Sequence, residues 1–362
     1  RQALLRVEPE DLELQIETLR QFKLSQQLKI AAADICNALP VMQVSDHLTH
    51  LAEAIIVQVV DIAWQQIVAK HGVPVCETQG PKNIQNKGFA VLGFGKLGGW
   101  ELGYGSDLDL VFLHNCDGQQ LTNGKKPIGA SGFYIKLAQR ILHIFTIKTG
   151  LGLLYDVDMR LRPSGNAGLL VCHINGFANY ETENAWTWEH QALVRARFVA
   201  GDPEVAAAVN TVRRDILSLA RDDVSLAREV HAMRETMRKH LLPSGRSEEG
   251  EFHLKQGAGG IVDIEFMVQY AVLTWSHRVP ELARWSDNVR ILEALGQEGL
   301  FEQQECEALT QAYLIYRSAA HQLSLQQQPG TAPEGSFAQE RAAVSAKWQQ
   351  LFAPYIDETT DQ

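Results

Sequence analysis

The chain has 362 residues, 45% of them hydrophobic and 21% charged, which is enough for two or three folded domains and too apolar for a disordered chain. Its net charge is -10, and no long cluster of Lys and Arg is present to track a phosphate backbone, which argues against nucleic acid as a partner. The longest apolar runs fall short of the roughly 18 residues of a membrane span and the charged N-terminus does not resemble a signal peptide, so no membrane partner and a cytoplasmic location are expected.

The five cysteines, Cys36, Cys76, Cys116, Cys172 and Cys306, are scattered and odd in number. No C-x-x-C pair occurs. Reduced, buried thiols are expected rather than disulfides or a cysteine zinc site. The first residue is Arg1, not Met, which fits one part of a longer polypeptide.

In chain order, Leu48, Leu51, Ile55, Val59 and Ile62 recur at helical spacing after Ser45, a candidate cap, and Lys70-His71-Gly72 supplies a stop. The stretch from Val73 to Lys87 reads as a linker. From Gly88 to Gly201 strand-like runs, glycine turns and a helix near Phe133 to Ile147 mark a mixed unit of strands and helices. Beyond Asp202-Pro203 the helical period returns, with Leu226, Val230, Met233 and Met237 on one face. A later helix is capped at Ser286 and ends at Gly296, and the last clear helix stops at Pro329-Gly330. The expected organisation is an N-terminal helical segment and linker over 1–80, a catalytic domain over 81–202 and a helical bundle over 203–362.

Gly93, Gly95 and Gly98 spell G-x-G-x-x-G, the dinucleotide fingerprint, but the surroundings are wrong for it. A Rossmann unit needs a full crossover helix and an acidic residue about 20 positions on. Here only a short helical turn, expected around Trp100 to Gly103, precedes the next strand. A Walker A loop also fails, because Lys96 is followed by Leu97 and not by the Ser or Thr that ligates magnesium.

That next strand runs over 106–114 and alternates Asp107, Asp109 and Val111 with Leu108, Leu110 and Phe112. A second predicted strand, 153–163, places Tyr155, Val157, Met159 and Leu161 on one face and Asp156, Asp158, Arg160 and Arg162 on the other. If the two strands share a sheet, Asp107, Asp109 and Asp158 converge. Three carboxylates in contact need a counter-charge, and magnesium supplies it with oxygen ligands from a few carboxylates and from phosphates. The arginines on the same face suit a triphosphate. Taken singly, each part also fits a solvated strand face or an exposed ion-pair ladder.

The order apolar-Gly-Gly at 97–99, Asp-x-Asp at Asp107 and Asp109, and a third strand-borne Asp at Asp158 is similar to the nucleotidyltransferase superfamily of polymerase beta fold. The strings GFGKLGGWEL, SDLDLVF and VDMRLRPSG resemble the glutamine synthetase adenylyltransferase family more specifically. ENAWTWEHQALVRAR, GGIVDIEFMVQY and RWSDNVRILE agree with it, so the resemblance spans nearly the whole chain. It implies an α+β fold: a small mixed-sheet, polymerase beta-like nucleotidyltransferase core flanked by an N-terminal helical segment and a C-terminal helical bundle.

The resemblance also implies that ATP is a substrate, and that Asp107, Asp109 and Asp158 are the catalytic carboxylates and hold two magnesium ions. Gly98, Gly99, Ser106, Lys96, Arg160 and Arg162 are then the candidate triphosphate contacts. Asp156 is a rival for the third carboxylate, but Asp158 stands between Val157 and Met159 as the apolar-Asp-apolar pattern requires. Glutamine synthetase would be the protein substrate and the PII signalling protein a partner. The family carries an adenylylating and a deadenylylating half, and this chain looks like the former by its wording alone. The competing expectations are the deadenylylating half, a uridylyltransferase acting on PII, and a regulatory module that binds PII without catalysis. Arg195 and Arg197 are expected either to touch ATP or to brace the fold, and Asp263 and Glu265 either to present a partner or to form a buried polar cap.

Overall fold

Two largely buried strands, β3 (Phe89–Gly93) and β4 (Leu108–His114), form the centre of a mixed sheet in the computed structural model, which describes residues 2, 4–8, 10–77, 80–242 and 250–356. They pair antiparallel from Phe89 opposite His114 to Gly93 opposite Leu110. Along its other edge, β4 pairs in parallel first with β5 (Val157–Asp158) and further on with β6 (Val171–His173), while β7 (Arg197–Gly201) pairs antiparallel with β3. The strand order is therefore β5-β4-β3-β7 with β6 beside β4.

Helix α1 (Leu12–Ile35), helix α2 (Val41–His71) and helix α4 (Ala130–Thr146) cover one face. Phe89, Val91, Leu108, Leu110 and Phe112 share a single buried cluster with Ile55, Val59 and Trp64 of α2 and Phe133, Leu137 and Ile141 of α4. Each such aliphatic side chain contributes about 1.5–3 kcal/mol by its burial. A short helix α3 (Gly95–Gly98) links β3 to the turn before β4, and α5 (Ile174–Glu183) follows β6. The chain then supplies α6 (Thr187–Val194) to a second compact unit and returns for β7 and the start of α7 (Pro203–Leu217).

The first compact unit comprises residues 1–185 and 196–212, and the second 186–195 and 213–362. The second is helical, built on the largely buried α9 (Ile261–Trp275), against which α6, α8 (Asp223–Leu241), α10 (Asn288–Gln297), α11 (Gln303–Leu325) and α12 (Ala338–Phe352) pack. A two-stranded ribbon joins β8 (Glu251–His253) to β9 (Thr331–Pro333). This is the expected α+β fold, with a small mixed sheet flanked by helical segments at both ends of the chain.

Several expectations need correction. Ser45 does not cap α2 but is buried inside it, and Pro40 precedes the helix; Gly72, at φ 76°, does end it. The predicted linker contains an antiparallel hairpin, β1 (Val75–Cys76) with β2 (Gly80–Pro81), while residues 78 and 79 lie outside the described residues. Cys76 and Cys116 are joined by a disulfide, because the hairpin lies beside the exit of β4; sequence spacing carries no trace of that approach. Of the other cysteines only Cys306 is buried, Cys172 being half-buried and Cys36 exposed.

By length and composition α2 is able to cross a membrane, contrary to the expectation from apolar runs, but half of its apolar window is buried and it packs on α1, α4 and β7. That is the place of a core helix. Asp287, one residue after the expected cap Ser286, caps α10 by accepting from the Arg290 amide, and α12 follows the helix read as the last. On α8 the core stripe continues from Leu226 and Val230 to buried Arg234, and Met233 and Met237 are only half-buried. Residues 357–362, the end of the predicted bundle, lie outside the described residues.

Candidate active site

The parallel register of β4 and β5 decides where the carboxylates fall. Asp109 stands opposite Asp158, and Asp107 is two residues earlier on the same side as Asp109. Leu108 and Leu110 turn into the helix-covered core, so strand alternation sends Asp107 and Asp109 to the other face. Each of Asp107, Asp109 and Asp158 offers an oxygen, and these oxygens lie within 4.8 Å of one another. Asp156 is not among them: it is exposed, its carbonyl accepts from the Leu108 amide at 2.9 Å, and its charge acts on Lys23.

Gly95 fits against this group. Its φ is 53°, and a Cβ there would lie 2.4 Å from Oδ2 of Asp109. The Phe94 amide donates to the Asp109 carbonyl at 2.9 Å, which fastens the start of α3 to β4. Gly95, in the G-x-G-x-x-G string, therefore lies against a candidate catalytic side chain, and the helix begins there rather than at Trp100. In the sequence the signal was only a glycine, the residue that tolerates positive φ, just after the strand that precedes the Asp-x-Asp pair.

The expected phosphate contacts divide. Gly98 and Gly99 are buried at the end of α3, and their amides donate to the carbonyls of Phe94 at 2.9 Å and Gly95 at 3.0 Å. Lys96 is exposed on α3. Ser106 precedes Asp107 directly, with its hydroxyl accepting from the Gly103 amide at 3.0 Å.

The strand expected over 153–163 is only two residues long, so Arg160 and Arg162 do not continue its face. The chain turns after Asp158, because Oδ1 of Asp158 accepts from the Arg160 amide at 2.8 Å. The Arg160 Nε donates to both Asp158 oxygens, at 3.0 and 2.7 Å, and Nη2 donates to Oδ2. These hydrogen bonds hold the Asp158 carboxyl below the usual carboxylate range, against the opposing effect of partial burial. Arg162 instead closes its own loop, donating to the carbonyls of Met159 at 2.7 Å, Asn166 at 3.3 Å and Gly168 at 3.5 Å.

Helix α1 grips both segments that carry the carboxylates, which sequence reading missed. Lys23 donates to the Leu154 carbonyl at 2.6 Å and lies over the Tyr155 ring; burial pulls its ammonium down to about 8. Arg20 donates to the carbonyl of Ile147 and the hydroxyl of Thr149. Tyr104, in the segment before Asp107, donates to Asp34 at 2.8 Å.

Arg197 and Arg195 are braces. Arg197 pairs with Glu53, lies 4.1 Å over the Trp100 ring and donates at 3.1 Å to the carbonyls of Leu97 and Gly98, a cation at the C-terminal end of α3. In the second unit Arg195 pairs with Glu265 at 2.6 Å, and Trp186 and Trp188 are exposed. Asp263 accepts from Arg234 Nε at 2.6 Å, from Arg238 at 3.1 Å and from the Gly259 amide at 2.7 Å. Asp263 and Arg234 are almost fully buried, which makes this group a polar core of the bundle.

Residues 1–212 match the glutamate-ammonia ligase adenylyltransferase family, and residues 228–332 match GlnD PII-uridylyltransferase. The chain belongs to the glutamate-ammonia ligase adenylyltransferase family. It is thus one of a family of nucleotidyltransferases that adenylylate glutamine synthetase, glutamate-ammonia ligase being the same enzyme. The span that matches the family includes α1, the sheet and all three carboxylates.

Proposed function

We propose that this chain transfers AMP from ATP to a tyrosine hydroxyl of glutamine synthetase and releases pyrophosphate, with Asp107, Asp109 and Asp158 holding two magnesium ions. The observation that carries the reading is the meeting of these three carboxylates within a span that matches the adenylyltransferase family. The donor set fits the ion: three carboxylate oxygens and no nitrogen or sulfur suit a hard cation that leaves positions for phosphate and water.

The tyrosine oxygen forms its bond to the α-phosphorus as the bond to the bridging oxygen breaks, and its proton leaves to solvent or a nearby base. A free phenol, with a pKa of about 10, attacks poorly at neutral pH. Bound magnesium lowers that handicap and offsets charge on the departing pyrophosphate. Asp109 comes from β4, Asp107 from the residue just before that strand, and Asp158 from its parallel neighbour, so the strand pairing supports their spacing. Ser106, Lys96 and Arg160 would contact the triphosphate; Gly98 and Gly99 shape the turn of α3, and Arg162 supports the loop behind Arg160.

The direction of transfer rests on the string GFGKLGGWELGYGSDLDLVFLH, which looks like that of the adenylylating half. The match of residues 228–332 to GlnD PII-uridylyltransferase supports PII as a regulatory partner. Intact mass of glutamine synthetase after incubation with this protein, ATP and magnesium tests the proposal. One AMP per subunit is expected with the wild type and none with an Asp107→Asn, Asp109→Asn double variant. Loss of AMP from pre-modified glutamine synthetase in phosphate, with no gain in ATP, would assign the reverse reaction.

A further inference from the structure

The Arg160 side chain lies largely in solvent, 74% exposed, yet its guanidinium and main-chain amide engage both oxygens of Asp158, whose own side chain is 16% exposed. The contact is two-pronged: Nε reaches both oxygens and Nη2 adds a second bond to Oδ2. A cation held by the three carboxylates needs at least one of those oxygens. Guanidinium and divalent cation repel each other and compete for the same lone pairs.

We propose that Arg160 is the resident counter-ion of Asp158, surrenders it to the divalent cation, and then takes the nucleotide phosphates, so that cation and nucleotide strengthen each other's binding. This rests on the metal-holding role proposed above for the carboxylates. The two kinds of contact divide the labour. The main-chain amide keeps Oδ1 oriented whatever the side chain does, whereas the exposed guanidinium can swing away without opening the core. Once released it remains beside Asp107 and Asp109, both of which act on it electrostatically. Its fork fits phosphate oxygens as it fits a carboxylate. A cation arriving alone must displace Arg160 into water, whereas a cation arriving with nucleotide gives it a new anion. Linkage makes the gain reciprocal.

Manganese binding to the purified chain, read from the electron paramagnetic resonance of free Mn2+ with and without α,β-methylene-ATP, tests this apart from catalysis. Arg160→Gln keeps the main-chain amide and removes the competitor. Without nucleotide it should bind Mn2+ about three- to ten-fold more tightly than the wild type, and the extra tightening on adding nucleotide should shrink by a similar factor. Arg160→Lys keeps the charge but loses the fork, and should fall between the two. Unchanged or weaker Mn2+ binding in Arg160→Gln overturns the proposal, and so does an Arg160→Lys protein identical to wild type, because charge alone would then explain the effect. If no protein binds Mn2+, or if Asp158→Asn binds it as the wild type does, the metal site itself is wrong and the proposal falls with it.

Discussion

The Tyr104 hydroxyl donates to Asp34 at 2.8 Å, joining the segment that leads into Asp107 to helix α1. Roughly three turns earlier on that helix, Lys23 holds Leu154 in the segment that leads into Asp158. One helix thus braces the segments leading into the two paired strands from which the carboxylates come. Tyr104→Phe removes a single hydrogen bond from a half-buried ring. It should lower AMP transfer about tenfold, the cost typical of a group that orients a ligand, with a melting temperature within a few degrees of wild type. AMP-transfer rates and melting curves measured together check it. Full activity would mean that α1 is only packing.

Gly95→Ala tests the approach of α3 to the site. The new Cβ would meet Oδ2 of Asp109 at 2.4 Å, and φ is 53°, where a side chain strains the backbone. Displacement of a reacting group by about 1 Å can cost roughly 100-fold in rate, so transfer should fall by that order while stability falls by only about 1–2 kcal/mol. Steady-state kinetics beside urea unfolding separate the two effects. A variant that loses stability but retains its kcat would show that Asp109 can move without consequence.

The choice of third carboxylate is open to a direct comparison. Asp158→Asn should reduce transfer by roughly 100- to 1,000-fold, the scale of losing one pre-placed electrostatic group. Asp156→Asn should cost less than about fivefold, since Asp156 is exposed and acts on Lys23 rather than joining the three oxygens. The reverse ranking in an AMP-transfer assay would transfer the role to Asp156.

What was legible in the sequence is what strand alternation, short-range order and family resemblance encode. Asp107 and Asp109 could be placed on one side because their neighbours Leu108 and Leu110 had to be buried, whereas Asp158 was preferred to Asp156 only through the pattern of the superfamily the chain resembles. The extent of the second strand could not be read, because the turn after Asp158 is made by a side chain accepting from the Arg160 amide, and Arg160 and Arg162 continue the alternation only as letters. The grip of α1 and the Cys76–Cys116 bridge depend on contacts between segments far apart in the chain, which no local period records. Gly95 hid inside a string whose familiar meaning had rightly been set aside.

Asp263 belongs to the stability of the second unit. Removing one partner of a buried ion pair costs about 3–5 kcal/mol because the other charge is left uncompensated. Asp263→Asn leaves Arg234 buried with its Gln256 contacts and without its anion, so the urea midpoint of this unit should drop accordingly. Asp263→Leu combined with Arg234→Met should cost less than Asp263→Asn alone, since it removes both charges. If Asp263→Asn is neutral in unfolding and selectively abolishes the response to PII, the residue serves recognition instead.

His114 gives the first unit an acid-side weakness. The ring is buried at the end of β4, stacked on Tyr134, and its Nδ1 accepts from the Cys116 amide at 3.3 Å, which fixes a neutral tautomer. Burial first, and then the neighbouring His173, bring its pKa down to about 4 from 6.5, with Asp117 opposing. The unfolded chain therefore binds this proton at a higher pH than the folded one. Its contribution is intact above about 6.5 and is lost as pH falls from 6.5 toward 4, on the order of 3 kcal/mol in full. Urea midpoints of the wild type should decline through that window, and His114→Asn, which no longer titrates there, should decline less even though it starts lower. Parallel curves for the two proteins from pH 7 to pH 4.5 would show that His114 is as readily protonated folded as unfolded.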